Sequence, residues 1–221
     1  LVRAGLPYVA THPDFNCPTE TGFAPDIGAI IAFIEASAGR RPDVILGKPY
    51  AGIVEEALKL GADAVSMHIN VGAETEPQML ENLGMVSRQC NEWGMPLIVM
   101  AYPRGPRIKD SFDPQAVAHA ARVAMELGAD IVKCSYTGDI DSFRDVVRGA
   151  MVPVVIAGGP KMDSDMDILN MVHDSLEAGG HGVSIGRNIF QNKDVRGMMS
   201  AVSDIVLHGA TVEEAAKHLK N

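Results

Sequence analysis

The segment most indicative of the fold is Leu127-Gly128-Ala129-Asp130-Ile131-Val132-Lys133-Cys134-Ser135-Tyr136-Thr137-Gly138. Gly128 is expected to end a helix in a left-handed turn, and the apolar run after it predicts a strand. Lys133 interrupts this run at a point where the strand should face the protein interior. The passage therefore predicts a helix, a tight turn, a buried strand and a polar loop in succession, the repeating unit of parallel α/β proteins.

The same sequence pattern between a helix and the next strand recurs at Leu60-Gly61-Ala62-Asp63 and, less closely, at Ala178-Gly179-Gly180. Most of the predicted strands are apolar at every position, which is typical of a parallel sheet covered by helices on both faces. The strands are predicted at Pro7–Thr11, Asp43–Leu46, Ala64–Asn70, Leu97–Tyr102, Ile131–Tyr136, Pro153–Ala157 and Gly182–Ile185. This alternation indicates a doubly wound sheet or a (βα)8 barrel.

Several helices have recognisable ends. Asp113-Pro114 predicts a capped helix start with a first-turn proline, and Gly128 its end. A helical spacing of apolar residues runs from Gln78 to Trp93, Ser164 or Asp163 caps a later helix, and Thr211-Val212-Glu213-Glu214 is a capping box.

Composition excludes some classes of function. The chain has 221 residues and a net charge of −9 without a Lys/Arg cluster, so we expect no nucleic-acid partner. Three cysteines without paired spacing indicate a reducing compartment, hence the cytoplasm, and neither a disulfide framework nor a zinc site. No signal peptide or membrane span is predicted. The chain starts at Leu1 rather than methionine, and we expect a truncated N-terminus.

Lys133 is the first candidate for chemistry. Burial disfavours the charged ammonium, and a lysine that is neutral near pH 7 is a nucleophile toward carbonyl groups. Its place late on a strand therefore suggests Schiff-base formation. The alternative is a lysine that extends to solvent from the strand end or pairs with a buried carboxylate.

Other candidates follow neighbouring strands. Tyr102 could exchange a proton with a substrate oxygen, although a core tyrosine with a solvated hydroxyl is the alternative. The corners Gly158-Gly159 and Gly186-Arg187 could present backbone N–H groups and a guanidinium to a phosphate. Arg104 could hold another part of a phosphorylated substrate. His68 points toward the same end, or is a hydrogen-bonded core histidine.

From about Val54 to Asn221 the sequence resembles the archaeal-type class I aldolase family. The matching segments are Gly61-Ala62-Asp63-Ala64-Val65-Ser66-Met67-His68, Tyr102-Pro103-Arg104-Gly105, Ala129-Asp130-Ile131-Val132-Lys133, Tyr136-Thr137-Gly138-Asp139, Ala157-Gly158-Gly159-Pro160-Lys161 and Gly186-Arg187-Asn188-Ile189-Phe190. The resemblance implies a (βα)8 barrel in which Lys133 forms the Schiff base and Tyr102 donates protons. It also implies that Tyr102, Pro103, Arg104, Gly158, Gly159, Gly186 and Arg187 contact a sugar phosphate, without a metal or cofactor.

Within the family, the sequence Ser135-Tyr136-Thr137 favours the heptulosonate-synthase branch. The fructose-bisphosphate aldolase branch remains the alternative. The favoured branch transfers a ketose-phosphate fragment onto aspartate semialdehyde on a route to aromatic amino acids. The substrates implied are thus a ketose phosphate and an aldehyde.

Residues 1–60 do not continue this match. Segments there, including Gly47-Lys48-Pro49, look like the haloacid-dehalogenase phosphatase superfamily, but its Asp-x-Asp nucleophile and magnesium-binding aspartates are missing. We therefore expect a phosphatase-like segment at 1–60 and an aldolase-like segment at 61–221. The fold expected is an incomplete or chimeric barrel, with barrel strands 4 to 8 from the aldolase-like part and two Rossmann-like βα units at the N-terminus.

The resemblance implies that the first barrel strand supplies a further acid/base residue for catalysis. This strand and the next two have no aldolase-like counterpart in the sequence. A phosphate-binding fragment without turnover is therefore an alternative function, and a phosphatase fragment is a third. An open sheet edge would favour self-association, so we expect a homo-oligomer.

Overall fold

The structure is a computed structural model that describes residues 8–10, 16–19, 22–25, 27–45, 52–162 and 164–219. The chain divides into two structural units, Leu1–Asp63 and Ala64–Asn221. Within the described residues, no helix has both the length and the apolar composition needed to cross a bilayer.

The first unit contains β1 (Val9–Ala10), β2 (Asn16–Thr19), β3 (Gly22–Pro25), α1 (Ile27–Ala38), β4 (Val44–Ile45) and α2 (Gly52–Lys59). Strands β1 and β4 pair in parallel, at the positions where strands were predicted, and β2 and β3 form an antiparallel hairpin. This hairpin was not predicted, because Pro18 and Pro25 break the alternation that marks a strand. Two Rossmann-like units are not confirmed, and Lys48 lies outside the described residues.

The second unit contains β5 (Val65–Val71), α3 (Glu76–Trp93), β6 (Leu97–Pro103), α4 (Pro114–Glu126), β7 (Ile131–Ser135), α5 (Ile140–Ala150), β8 (Val154–Ala157), α6 (Asp165–Glu177), β9 (Gly182–Ser184), α7 (Arg187–Phe190), α8 (Val195–His208), α9 (Val212–Ala215) and a 3-10 turn (Ala216–His218). Its five strands form a parallel sheet in the order β5-β6-β7-β8-β9. The predicted parallel α/β fold is confirmed, with each of the five predicted strands within one residue of its expected bounds.

Helix ends follow the predicted signals. Asp113 accepts a hydrogen bond from the Ala116 amide at the start of α4, and Thr211 with Glu214 forms the predicted capping box. Gly61, Gly128 and Gly179 have φ values of 76°, 95° and 97° at the three helix-to-strand turns. Ser164 caps α6 through the Asp167 amide, whereas Asp163 lies outside the described residues.

The two faces of the five-stranded sheet differ in burial. On one face, residues such as Ile69, Val99 and Val132 are fully buried, and α3 and α4 pack against β5 and β6. On the other face, His68, Met100 and Lys133 are only half-buried. The second face still carries apolar residues such as Ile98 and Val155, but it is less buried than the first and also holds polar side chains.

Candidate active site

Lys133 lies in the middle of β7 on the half-buried face of the sheet. The strand register aligns His68, Met100, Lys133 and Val155 in one row across β5 to β8. Burial lowers the pKa of Lys133 below the ordinary value of a lysine. Among the ion pairs of the described residues, none involves Lys133. A buried carboxylate partner is therefore not seen, and the amine is displaced toward its neutral, nucleophilic form.

Tyr102 lies on the same face of the sheet, one row nearer the carboxyl ends of the strands. It follows Met100, the register partner of Lys133, by two residues, so the two side chains project to the same side. Strand spacing and rise give a Cα separation of roughly 8 Å between Lys133 and Tyr102. The sheet thus brings the candidate nucleophile and the candidate proton donor to neighbouring positions.

The surroundings of Tyr102 are specific. The side chain is 7% exposed, and the His68 ring meets it edge-on with ring centroids 5.4 Å apart. The Arg104 guanidinium lies over the ring, 4.3 Å from its centroid. Burial raises the pKa of Tyr102, Arg104 opposes this rise, and Cys134 adds to it.

His68 pairs with a residue that sequence reasoning did not single out. Its Nε2 lies 2.8 Å from Oδ1 of Asn70, two residues further along β5. Because a carbonyl oxygen only accepts, this contact requires the hydrogen on Nε2. The signal available in the sequence was the i, i+2 spacing on one strand, which puts both side chains on one face.

The loops after β5 and β6 are joined by backbone contacts. The Arg104 amide donates to the Val71 carbonyl at 3.0 Å, and the Gly72 amide donates to Oε2 of Glu76 at 2.7 Å. Gly105 has φ 145°, and a Cβ there would lie 2.1 Å from the Gly72 carbonyl oxygen. Only glycine allows this approach, so the position of Arg104 depends on the Gly72–Gly105 contact.

Replacement of Gly105 by alanine is expected to destabilise the protein by roughly 2–4 kcal/mol, because the clash is with backbone that cannot rotate away. Gly209→Ala is the matched control, since Gly209 also has a positive φ, 66°, but a methyl group there meets no atom within 4 Å. The free energy of unfolding from urea titration measures both. Equal losses in the two variants would show that the Gly72–Gly105 contact is not tight in solution.

The two glycine corners meet beyond the ends of β8 and β9. Arg187 Nη2 donates to the Gly159 carbonyl at 3.2 Å. Asn188, 3% exposed, donates from Nδ2 to the carbonyls of Gly158 at 2.6 Å and Pro160 at 3.0 Å. Its Oδ1 accepts from the Met162 amide at 2.9 Å. Asn188 therefore fastens the loop after β8 to the start of α7, a role that its place after Arg187 in the sequence did not indicate.

A cavity of about 320 Å³ adjoins these corners. Lys161, Arg187 and Lys193 contribute cationic groups to its lining, and Asp165 contributes an anionic one. Gly159 has φ 63° and has open space where a Cβ would be, whereas a Cβ on Gly158 would lie 2.6 Å from Ile185. Gly158 and Gly159 themselves line a second cavity, of about 490 Å³, whose charged lining residues are Asp167 and Asp174. The excess of cationic groups, which favours an anion, is therefore on the Arg187 side of the corners.

Tyr136, just after β7, packs against α5 and lines a cavity with Gly158 and Gly159. Its ring packs edge-on against Phe143 of α5 at a centroid distance of 5.2 Å, and its hydroxyl is buried without a hydrogen-bond partner among the described residues. Burial, with smaller contributions from Asp174 and Asp139, raises the pKa of Tyr136 to about 12. Ser135, not Tyr136, is therefore the polar neighbour on the Lys133 face, where it is 6% exposed.

The lowered pKa of Lys133 has a consequence for stability. The unfolded chain binds this proton more tightly than the folded protein, so stability rises with pH between the lowered folded pKa and the unfolded value of about 10.4. Below this window the buried charge is a cost. Lys133→Met is expected to be more stable than the unsubstituted protein at neutral pH, with an advantage that shrinks as the pH approaches 10.

Thermal unfolding from neutral to alkaline pH measures this prediction. Lys217→Met is the control, because Lys217 is exposed and its substitution should change stability little at any pH. A Lys133→Met advantage that stays constant with pH would mean that only the apolar character of methionine matters.

Comparisons with known proteins identify the family of this chain. The model of the DeoC/LacD aldolase family matches residues 2–192. 2-Amino-4,5-dihydroxy-6-oxo-7-(phosphonooxy)heptanoate synthase of Streptomyces griseus is 41% identical over 183 residues, covering 83% of this chain and 66% of the relative. 2-Amino-3,7-dideoxy-D-threo-hept-6-ulosonate synthase of Halobacterium salinarum is 39% identical over 203 residues, covering 89% and 76%.

A solved structure is also similar. An archaeal fructose-1,6-bisphosphate aldolase, in which the catalytic lysine is covalently bound to the carbinolamine intermediate, is 41% identical with a TM-score of 0.67. The match covers 69% of this chain and 61% of that one.

These matches set the extent of the family assignment. The chain spans just under two thirds of the length of the Streptomyces relative. The family match extends through residues 2–60, and the phosphatase-like interpretation of that segment finds no support in the fold of the described residues. On its fold and on the match over most of its length, the chain belongs to the DeoC/LacD family of aldolases.

Proposed function

We propose that this protein is a Schiff-base-forming aldolase or transaldolase that acts on a ketose phosphate, with Lys133 as the nucleophile. The observation that carries the proposal is the half-buried Lys133 amine, its pKa lowered by burial, one row from Tyr102 on the half-buried face of the sheet. Family membership supports the same class of reaction.

The first half of the mechanism forms the covalent intermediate. The lone pair of Lys133 Nζ attacks the ketose carbonyl carbon, and the Tyr102 hydroxyl donates a proton to the carbonyl oxygen, giving a carbinolamine. The Tyr102 phenolate then takes one of the two protons from the cationic nitrogen and passes it to the same oxygen, which leaves as water. An iminium ion remains, and Tyr102 is again a phenolate that can accept the next proton. Tyr102, buried against His68 and beneath Arg104, is the described phenol nearest to this chemistry in the sheet register.

The second half breaks or makes a carbon–carbon bond. Loss of the proton from the hydroxyl group two carbons from the iminium carbon allows the intervening bond to break, and its electron pair moves into the iminium to give an enamine. The aldehyde product leaves, and in the cleavage direction the enamine gains a proton at carbon and water hydrolyses the resulting iminium, which frees Lys133. In the transfer direction the enamine attacks an acceptor aldehyde, and water then hydrolyses the new iminium. The iminium supplies the electron sink, so the proposal assigns no role to a metal or cofactor.

The phosphate group is assigned to the two glycine corners. Gly158, Gly159 and Gly186 would approach it with backbone N–H groups, and Arg187 would add a charge-assisted hydrogen bond. Tyr102, Pro103 and Arg104 would contact other parts of the sugar phosphate. The hydrogen bonds of Asn188 support this assignment because they hold the two corners together.

For the substrates, we propose the heptulosonate-synthase type of reaction, in which aspartate semialdehyde accepts the fragment on a route to aromatic amino acids. This choice of substrates is supported by the names of the two curated relatives and by the sequence Ser135-Tyr136-Thr137. Fructose-bisphosphate aldolase activity is the alternative, favoured by the similar solved structure. We further propose a cytoplasmic homo-oligomer, for which the support is the sequence alone.

Borohydride trapping tests the proposed function. The 221-residue protein is incubated with fructose 1,6-bisphosphate and sodium borohydride, and peptide mass spectrometry is expected to find the reduced sugar adduct on Lys133. Lys133→Met and a sample without sugar are the controls. Binding of the sugar phosphate by calorimetry without any adduct would instead select a phosphate-binding fragment without turnover, and an adduct on another lysine would contradict the assignment.

A further inference from the structure

Tyr102 combines two properties that oppose each other in a proton donor. Its burial holds the ring in one place, but burial also raises the pKa of its hydroxyl and so weakens it as an acid. A catalytic acid works best when its pKa is close to the working pH. A nearby cation would offset part of this effect of burial, because it stabilises the phenolate.

Arg104 is in position to be this cation. Its guanidinium carbon lies 4.3 Å from the centroid of the Tyr102 ring, within the distance at which a cation and an aromatic face attract each other. Arg104 is otherwise exposed, and among the described residues no ion pair ties it to a carboxylate. The neighbouring Arg107, by contrast, pairs with Glu76 at 3.6 Å.

The backbone fixes this geometry. The Arg104 amide bonds to the Val71 carbonyl, and the following Gly105 lies against Gly72 so closely that no side chain fits. The Ile108 amide then donates to the Gly105 carbonyl at 3.0 Å, which closes the turn. The start of the Arg104 side chain is therefore held at the end of β6, immediately beyond the ring that it covers.

Other titratable groups around Tyr102 do not replace Arg104. His68 approaches from β5 with its ring edge and is bonded to Asn70. Cys134 of β7 is buried, its pKa is raised to about 12, and its influence on the phenol has the opposite sign. Lys133 is one row away, with a pKa lowered toward the neutral amine.

We propose that Arg104 is a positioning residue that holds the Tyr102 ring and eases the departure of the proton from its hydroxyl. The inference rests on the proposed role of Tyr102 as proton donor. It gives Arg104 a function beyond the substrate contact that the sequence suggested, because the guanidinium acts through the phenol before any substrate is present.

The test measures the acidity of the phenol directly in the protein without ligand. A fluorinated tyrosine, which titrates at a lower pH than tyrosine, is introduced at position 102 and followed by ¹⁹F NMR. Arg104→Met is expected to raise the pKa of this phenol by about half a unit to one unit. Arg104→Lys, which keeps the charge but loses the planar stacking group, is expected to give a smaller rise.

Arg107→Met is the matched control, because it removes the same charge from the same loop without touching the ring. Equal phenol pKa values in Arg104→Met and Arg107→Met would overturn the inference.

This readout does not depend on turnover. If borohydride trapping fails while the phenol still responds to Arg104, the proposed function is wrong and the pairing of Arg104 with Tyr102 stands. If trapping succeeds, kinetics with fructose 1,6-bisphosphate separate the two roles of Arg104. A fall in kcat, with the pH–rate profile displaced toward higher pH, is the result expected of a positioning residue, whereas a rise in KM alone with an unmoved profile would contradict it.

Discussion

Replacement of Lys133 by methionine is expected to reduce kcat for the cleavage of fructose 1,6-bisphosphate by at least about 10⁴-fold, since the proposed mechanism forms the iminium on this amine. Methionine keeps a similar length and removes the amine, so the sheet should be retained. The measurement is release of triose phosphate by the purified protein under saturating sugar phosphate, with circular dichroism to compare the folds.

Lys217→Met, at an exposed position in the last 3-10 turn, is the control and should keep full activity. Lys161→Met is a second comparison, because Lys161 lines the cavity by the glycine corners and can affect affinity without joining the covalent chemistry. If Lys133→Met retains a kcat within tenfold of that of the unsubstituted protein, another lysine must form the Schiff base.

Replacement of Tyr102 by phenylalanine is expected to lower kcat by about 10²–10⁴-fold, the usual range for loss of a general acid. The ring and its contacts with His68 and Arg104 are retained, so the effect isolates the hydroxyl. Lys133 remains nucleophilic, so borohydride should still trap an adduct, but more slowly. Single-turnover kinetics with fructose 1,6-bisphosphate measure the covalent step, and steady-state kinetics measure kcat.

Tyr136→Phe is the matched control for Tyr102→Phe. Tyr136 is also a buried tyrosine and lines a cavity with Gly158 and Gly159, but its ring packs against Phe143 of α5 and its hydroxyl is buried without a hydrogen-bond partner among the described residues. Activity should therefore stay near that of the unsubstituted protein, and stability should rise slightly because an unsatisfied hydroxyl is removed. Comparable losses of kcat in the two variants would argue against a proton-transfer role for Tyr102.

Local signals in the sequence were sufficient for most of the second unit. Gly128, Asp113 and Thr211 act within a few residues of themselves, so the ends of α4 and the start of α9 could be predicted from spacing alone. The half-buried position of Lys133 on a strand could also be predicted, because its conflict with its apolar neighbours is visible in one segment, whereas its catalytic role stays a prediction. The parallel register then determines that Tyr102 lies on the same face.

Contacts between distant residues could not be predicted in this way. Asn188 bonds across 30 residues to Gly158, and Gly105 fits against Gly72, although neither pair has a sequence pattern that links its members. The Arg104 guanidinium over the Tyr102 ring depends on the same tertiary geometry. The hairpin β2–β3 was missed for a different reason, because proline-containing strands lack alternation.

The hydrogen bonds of Asn188 to Gly158 and Pro160 form only after both segments have been synthesised. During synthesis the loop at 158–162 leaves the ribosome before the amide that fastens it, since Asn188 follows Gly158 by 30 residues. A nascent chain that already carries Lys133 and Tyr102 thus lacks the three hydrogen bonds that hold the loop at 158–162 until residue 188 has been added.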